Sequence, residues 1–514
     1  MKNSSVGFPL ADRLLPAIRV VCVAALLAIA ASAAPTAARA ADSERAAPEE
    51  PVTESASYVV RVVETGPPRL FVTATLPSAG AELRMAQSWP GDIPEVAEAG
   101  WPGLIRNLRV VDADGSEVHV TPAGPKGWTL ASAIRGKLTL DYEIDLAPLA
   151  ARGWPAPREA AYADPDHVTL IGRALFIFTP AQRESRVRFT LPDGWQPVVP
   201  WRSPGGASGS ALVASTEDLA ENLIAFSRVA PDVVVAGGFR LNVVSFGHWQ
   251  SARAEVRRVV GAVLPRLVAT VGSRDRADYV LVLLPHAESG GESFRASFAL
   301  TLEESASRAN IETWGNLVAH EVFHYWNGWR LKGADYPSSQ WFQEGFTEYA
   351  ANLALVSSEL SRPEQFHERL AGHVMKYRKL ATPLDAPGTR KGQPRYSGGA
   401  LVAFIWDTKI RAATGGKRGF GDVMRALLRN TDAGARPYAW EDIQAALESV
   451  APGDWKAFEQ RYIHGTEPLP VGDAFARVGL RMTEAADGVV RVEADPGASR
   501  AATELRRALE RGSR

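Results

Sequence analysis

The chain has 514 residues, 46% hydrophobic and 22% charged, with 57 Lys and Arg against 58 Asp and Glu for a formal net charge of −1. That composition excludes a disordered or fibrous chain, and no block of like charge is present to attract nucleic acid. The length leaves room for roughly two to four domains with cores of their own.

Residues 1–40 read as an export leader. Lys2, Arg13 and Arg19 precede an apolar run from Val20 to Ala31, and about a dozen residues are too few to span a ~30 Å hydrocarbon core. Ala38-Arg39-Ala40 then forms an A-x-A cleavage signal. Cleavage would remove Cys22, the only cysteine, so the remainder would hold no disulfide and no thiol nucleophile. The expected location is the periplasm or the external medium, with no membrane partner after cleavage. Residues 41–56 are charged and proline-bearing and read as a mobile arm.

Between 57 and 245 the period is two. Tyr58–Val63, Leu70–Leu76, Leu138–Ile144 and Val187–Leu191 alternate or run β-branched, with Pro, Gly and Asp between them, and Ser203–Ser210 is a Gly/Ser-rich loop. Short strands at this spacing predict an N-terminal β-sandwich. The pattern changes near residue 249. A helix is predicted over Ala252–Val271, interrupted at Pro265, followed by a buried strand at Tyr279–Leu284. Helical segments dominate from about 312 to 460, so a mixed, mainly helical domain is expected over 246–470. Residues 471–514 hold one short strand-like run at Gly488–Glu493 and a polar helical end, and read as a C-terminal tail.

The chemistry concentrates at His320-Glu321-Val322-Phe323-His324, an H-E-x-x-H sequence. On a helix, positions i and i+4 share a face, so both imidazoles reach one ion while Glu321 is placed to take a proton from activated water. A catalytic zinc site needs a third protein ligand and an open position. Glu344, in Trp341-Phe342-Gln343-Glu344-Gly345-Phe346-Thr347-Glu348, supplies a carboxylate after a turn through Lys332-Gly333 and Pro337-Ser338. Glu348, one helical turn on, is placed to accept a hydrogen bond from a ligand histidine. One Zn2+ per chain is expected. Neither a phosphate loop nor a calcium loop pattern is present.

The block from Ala319 to Tyr349 resembles the glycyl aminopeptidase family of gluzincin zinc peptidases, whose pattern reads H-E-x-F-H-x-W-N and then W-F-x-E-G-F-T-x-Y. Tyr396-Ser397-Gly398-Gly399-Ala400, Trp406-Asp407-Thr408-Lys409-Ile410-Arg411 and the upstream Ser88-Trp89-Pro90-Gly91 are similar to further elements of that family, in order. The resemblance implies an N-terminal β-sandwich, a thermolysin-like catalytic domain and a C-terminal PDZ domain. It also implies zinc held by His320, His324 and Glu344, Glu321 as general base, Tyr396 stabilising the tetrahedral oxyanion, and peptide or protein as substrate. Three departures stand out. The family's G-G-L-E-H element, expected on a substrate-binding edge strand, reads Gly290-Gly291-Glu292-Ser293-Phe294, with its acid one place early. A one-residue slip in a strand moves a side chain to the other face, unless a bulge corrects it. Gly398 stands where the family has lysine, and 471–514 is too short for a whole PDZ domain, leaving a truncated remnant. The expected activity is an aminopeptidase releasing small N-terminal residues, glycine or alanine. The alternatives are an endopeptidase of broad specificity and a catalytically weak, zinc-bearing peptide-binding protein. No feature of the sequence sets an oligomeric state.

Overall fold

The computed structural model describes residues 55–63, 69–87, 94–147, 161–164, 166–203, 209–272, 276–285, 290–302, 311–387, 393–431 and 435–512. The leader, nearly all of the 41–56 arm, Ser88–Gly91 and the middle of the Ser203–Ser210 loop lie outside these residues.

The N-terminal half is built from β1 (Ala56–Val63), β2 (Arg69–Arg84), β3 (Ile105–Val111), β4 (Val120–Pro122), β5 (Gly127–Asp145), β6 (Ala161–Asp164), β7 (His167–Ile171), β8 (Ser185–Thr190), β9 (Gln196–Val198), β10 (Ser210–Val213) and β11 (Leu223–Ser227). One sheet runs β10-β8-β1-β2-β5-β3, with β4 added to β5; the other runs β6-β7-β11-β9. Burial alternates strictly along β1, and residues of both sheets fill one core. Phe189 of β8 meets Phe226 of β11 at 5.5 Å between ring centres. Period-two patterning thus yields the expected face-to-face packing.

A third sheet follows, in the order β12 (Asp232–Ala236), β13 (Phe239–Ser245), β14 (Ala277–Pro285), β16 (Ser297–Leu302), β15 (Gly290–Ser293). The expected boundary at 245 is therefore too late, because β12 and β13 pair with β14 and not with the sandwich. On β14, Tyr279, Leu281 and Leu283 face the helices, whereas Val280, Val282 and Leu284 join the sandwich core. A strand buried on both faces reads as a continuous apolar run, which explains Tyr279–Leu284. This sheet is the shared wall between the two halves, and β15 lies at its edge.

Among the described residues the helical half includes α1 (Arg253–Val271), α2 (Ile311–Phe323), α3 (Tyr336–Ser357), α4 (Pro363–Tyr377), α5 (Gln393–Thr414), α6 (Phe420–Asn430), α7 (Trp440–Val450), α8 (Val471–Arg477) and α9 (Arg500–Glu510). Helix α1 runs through Pro265 without the expected interruption. The C-terminal segment is not a loose tail. Phe475 and Val478 at the end of α8, Leu480 and Val490 of the hairpin β17 (Leu480–Glu484) and β18 (Val490–Ala494), and Leu509 of α9 all enter the helical core. His367 of α4 also bonds Glu510 at 3.0 Å. Among the described residues no helix is long and apolar enough to cross a membrane.

Candidate metal centre

His320 lies in the last turns of α2, and His324, with φ −60° and ψ −21°, keeps helical geometry just past its end. The i, i+4 spacing therefore holds, with a backbone bond from His324 N to His320 O at 3.2 Å. The chain then leaves the helix at Asn327 and Gly328. Gly328 has φ 154°, and a Cβ there would lie 3.3 Å from His324 Nδ1, so this exit favours glycine.

Asn327, fully buried, joins the two ligand-bearing helices. Its Nδ2 donates to Phe342 O (3.2 Å), Gln343 O (3.0 Å) and Thr347 Oγ1 (3.2 Å), all on α3. Its carbonyl accepts from His324 Nδ1 at 3.0 Å. A carbonyl can only accept, so the proton sits on Nδ1 and the Nε2 lone pair is free to bind metal. Glu348 Oε2 does the same for His320 Nδ1, at 3.2 Å. Helix α3 itself starts earlier than expected, with Asp335 as its cap, so Pro337 and Ser338 form its first turn and not a separate loop.

The ligand atoms converge. The two Nε2 atoms are 3.1 Å apart, and each is 3.4 Å from Glu344 Oε2. Donors about 2.0–2.1 Å from a tetrahedral zinc stand roughly 3.3 Å from one another, so the three atoms match that ion. Glu344 Oε2 is buried with no hydrogen-bond partner, while Oε1 accepts from the Tyr336 hydroxyl at 2.9 Å. One carboxylate oxygen is thus tied down and the other faces both imidazoles. Burial opposes a charge on His320, yet the carboxylates of Glu344 and Glu348 outweigh it and raise its pKa to about 10. Burial likewise opposes ionised Glu344 and Glu348, but the histidines hold both low, Glu348 at about 2.

Glu321 is fully buried beside this cluster. A Cβ on Gly291 would lie 3.0 Å from Glu321 Oε1, so strand β15 passes directly over the proposed base. Pairing with β16 is regular, Gly291 opposite Leu300, Glu292 opposite Ala299 and Ser293 opposite Phe298, with no bulge. Leu300 and Phe298 belong to the helix-side core and Ala299 to the sandwich core. Opposed residues share a face, so Gly291 and Ser293 face Glu321 while Glu292 points toward the sandwich. Placing Glu292 in the substrate site is corrected here: period-two alternation carries it away, and Arg173 lies on its side of the sheet.

Tyr396 sits in the first turns of α5, and its hydroxyl bonds that of Tyr336. The following glycines serve helix packing. A Cβ on Gly399 would come within 1.7 Å of Trp341 O, and one on Gly345 within 2.5 Å of Gly399 Cα. The close crossing brings Tyr396 toward Glu344. At Gly398 a Cβ would lie 2.5 Å from Leu384 Cδ2, so a lysine there would require the Leu384 and Tyr377 side chains to move. Tyr336 and Asn327 are the residues that sequence reasoning missed; an asparagine after H-E-x-x-H-x-W and a tyrosine before the second helix were the available signals.

The M61 glycyl aminopeptidase family pattern matches residues 313–383, and the Peptidase M61 N-terminal domain matches residues 57–219. No curated protein matches the chain. In three dimensions the chain is similar to an aminopeptidase N family protein from Idiomarina loihiensis, with 18% identity and a TM-score of 0.67 over 84% of this chain and 79% of that one. At that identity the likeness concerns the fold. A Deinococcus radiodurans M1 zinc metallopeptidase variant bound to a Tyr-Ser-Ala substrate aligns with 14% identity and a TM-score of 0.49, over 81% of this chain and 95% of that one.

Proposed function

We propose that this chain, a zinc peptidase of the M61 glycyl aminopeptidase family, works outside the cytoplasm and releases small residues, glycine or alanine, from peptide N-termini. The observation that carries the chemistry is the convergence of His320, His324 and Glu344 with Glu321 beside them under Gly291. His320, His324 and Glu344 would hold the ion. Zinc bound there supplies Lewis acidity that activates water and polarises the scissile carbonyl. Glu321 takes the proton from the attacking water and returns it to the leaving amine. The Tyr396 hydroxyl, held near Glu344 by Tyr336, donates to the oxyanion as its charge develops, a contribution made chiefly in the transition state. Glu348 and the Asn327 carbonyl keep both imidazoles in the metal-binding tautomer.

A second reading, cleavage that needs no free amine, is favoured by one observation: the active-site face of β15 presents Gly291 and Ser293, neither of them charged. Matched glycine- and alanine-led peptides, free and N-acetylated, separate the two when products are identified by mass spectrometry. Stepwise loss from the free peptides alone supports the aminopeptidase; equal cleavage of blocked peptides replaces it with internal cleavage. Binding without products would leave a zinc-bearing peptide-binding protein.

A further inference from the structure

The β15–β16 hairpin meets Glu321 through β15 and docks on the N-terminal half through its turn. Arg295 N donates to Glu221 O at 2.9 Å, and the Arg295 guanidinium pairs with Glu217 at 2.7 Å and with Asp218. Ala296 N donates to Asn222 Oδ1 at 2.7 Å, and Leu223 N donates to Ser297 Oγ at 2.8 Å. Close to this turn Arg173 is only 4% exposed, with Nε 3.1 and 2.9 Å from the two oxygens of buried Glu221 and its guanidinium 5.9 Å from the centre of the Phe294 ring. Glu292 is 2% exposed on the same side of the sheet, and its carboxylate adds to the field at Arg173.

A buried carboxylate is tolerated only where a cation or hydrogen bonds compensate it, and Arg173, already gripped by Glu221, is a cation whose field reaches Glu292. The Phe294 ring against the Arg173 guanidinium is two residues from Glu292 in the chain, which places the buried Glu292 carboxylate on the side of the sheet where Arg173 and Glu221 pair. We infer that Glu292 is a positioning residue and not a substrate anchor: with Arg173 and Glu221 it forms an ionic lock that fixes β15 where Gly291 meets Glu321. The N-terminal half is then part of the active-site apparatus, because it sets the height of the strand over the base. The kinetic consequence rests on the peptidase reading; the lock itself does not.

Glu292→Gln in the full chain tests this, since it removes the charge and keeps the shape. Hydrogen exchange across the β15–β16 hairpin should quicken at least about tenfold, while exchange in α2 and α3 and the zinc content stay unchanged. Hydrolysis of free and N-acetylated peptides should fall by a common factor, because a displaced strand serves both badly. A fall confined to free peptides would make Glu292 the amine anchor and overturn the inference, and so would unchanged exchange in the hairpin. If that variant fails to fold, Arg173→Lys, which keeps the charge and loses the two-oxygen grip, is read by the same exchange measurement with the same criteria. Should the parent protein cleave neither peptide, the peptidase reading falls alone and the exchange comparison still decides the lock.

Discussion

The helical wall of the site takes its ligands from two successive helices, with His320 and His324 one turn apart and Glu344 fastened through Asn327 and Tyr336. The facing wall, β15, is paired with β16 and docks through the turn of that hairpin on residues 217–223 of the other half. The difference separates two kinds of fault. Damage to the helical wall should change the metal or the chemistry, whereas damage to the strand's supports should misplace the substrate and leave the metal alone.

The sharpest division comes from Glu321→Gln, expected to lower kcat by up to about 10⁴-fold as a lost general base. Metal analysis of the same variant should find zinc retained; turnover like the parent's would remove Glu321 from the mechanism. Tyr396→Phe should cost about 10²–10³-fold in kcat, the scale of a lost oxyanion donor, again with zinc retained. Unchanged kcat would leave Tyr396 as a helix-packing residue. Acid should act on the helical wall specifically. Glu344 and Glu348 raise the pKa of His320 despite its burial, so metal binding competes with a proton on this imidazole and affinity should weaken as the pH falls. Chelator competition across pH measures this, and a flat profile would contradict it. The smallest effect is expected on the other wall. Asn222→Ala removes the acceptor of Ala296 N, and a loss of about 1 kcal/mol corresponds to roughly fivefold in kcat/KM with metal affinity intact. Altered metal affinity there would break the division between the walls.

The helical wall was largely legible in the sequence because its geometry is short-range. The i, i+4 rule places two imidazoles together, and Glu348 follows Glu344 by one turn. What sequence reasoning misjudged depends on partners distant in the chain. Gly399 and Gly345 are required because α5 crosses α3 with backbones almost touching, which no local pattern announces. Strands β12 and β13 keep the period of the sandwich, and periodicity says nothing of which sheet a strand joins. The segment 471–514 looks polar, but its few apolar residues gather on one side when β17, β18 and α9 fold onto α4 and α5.

The sequence by itself determined the cluster of His320, His324 and Glu344 with Glu321 beside it, and a β-rich half followed by a helical half, since each is encoded in residue type and in the periods of single elements. Only the tertiary structure decided that Glu292 lies on the sandwich face of β15 while Gly291, on the opposite face, meets Glu321. A side chain's face within a strand alternates by rule, but which face meets the catalytic helix is set by what packs on either side of the sheet, here the sandwich on one and α2 on the other.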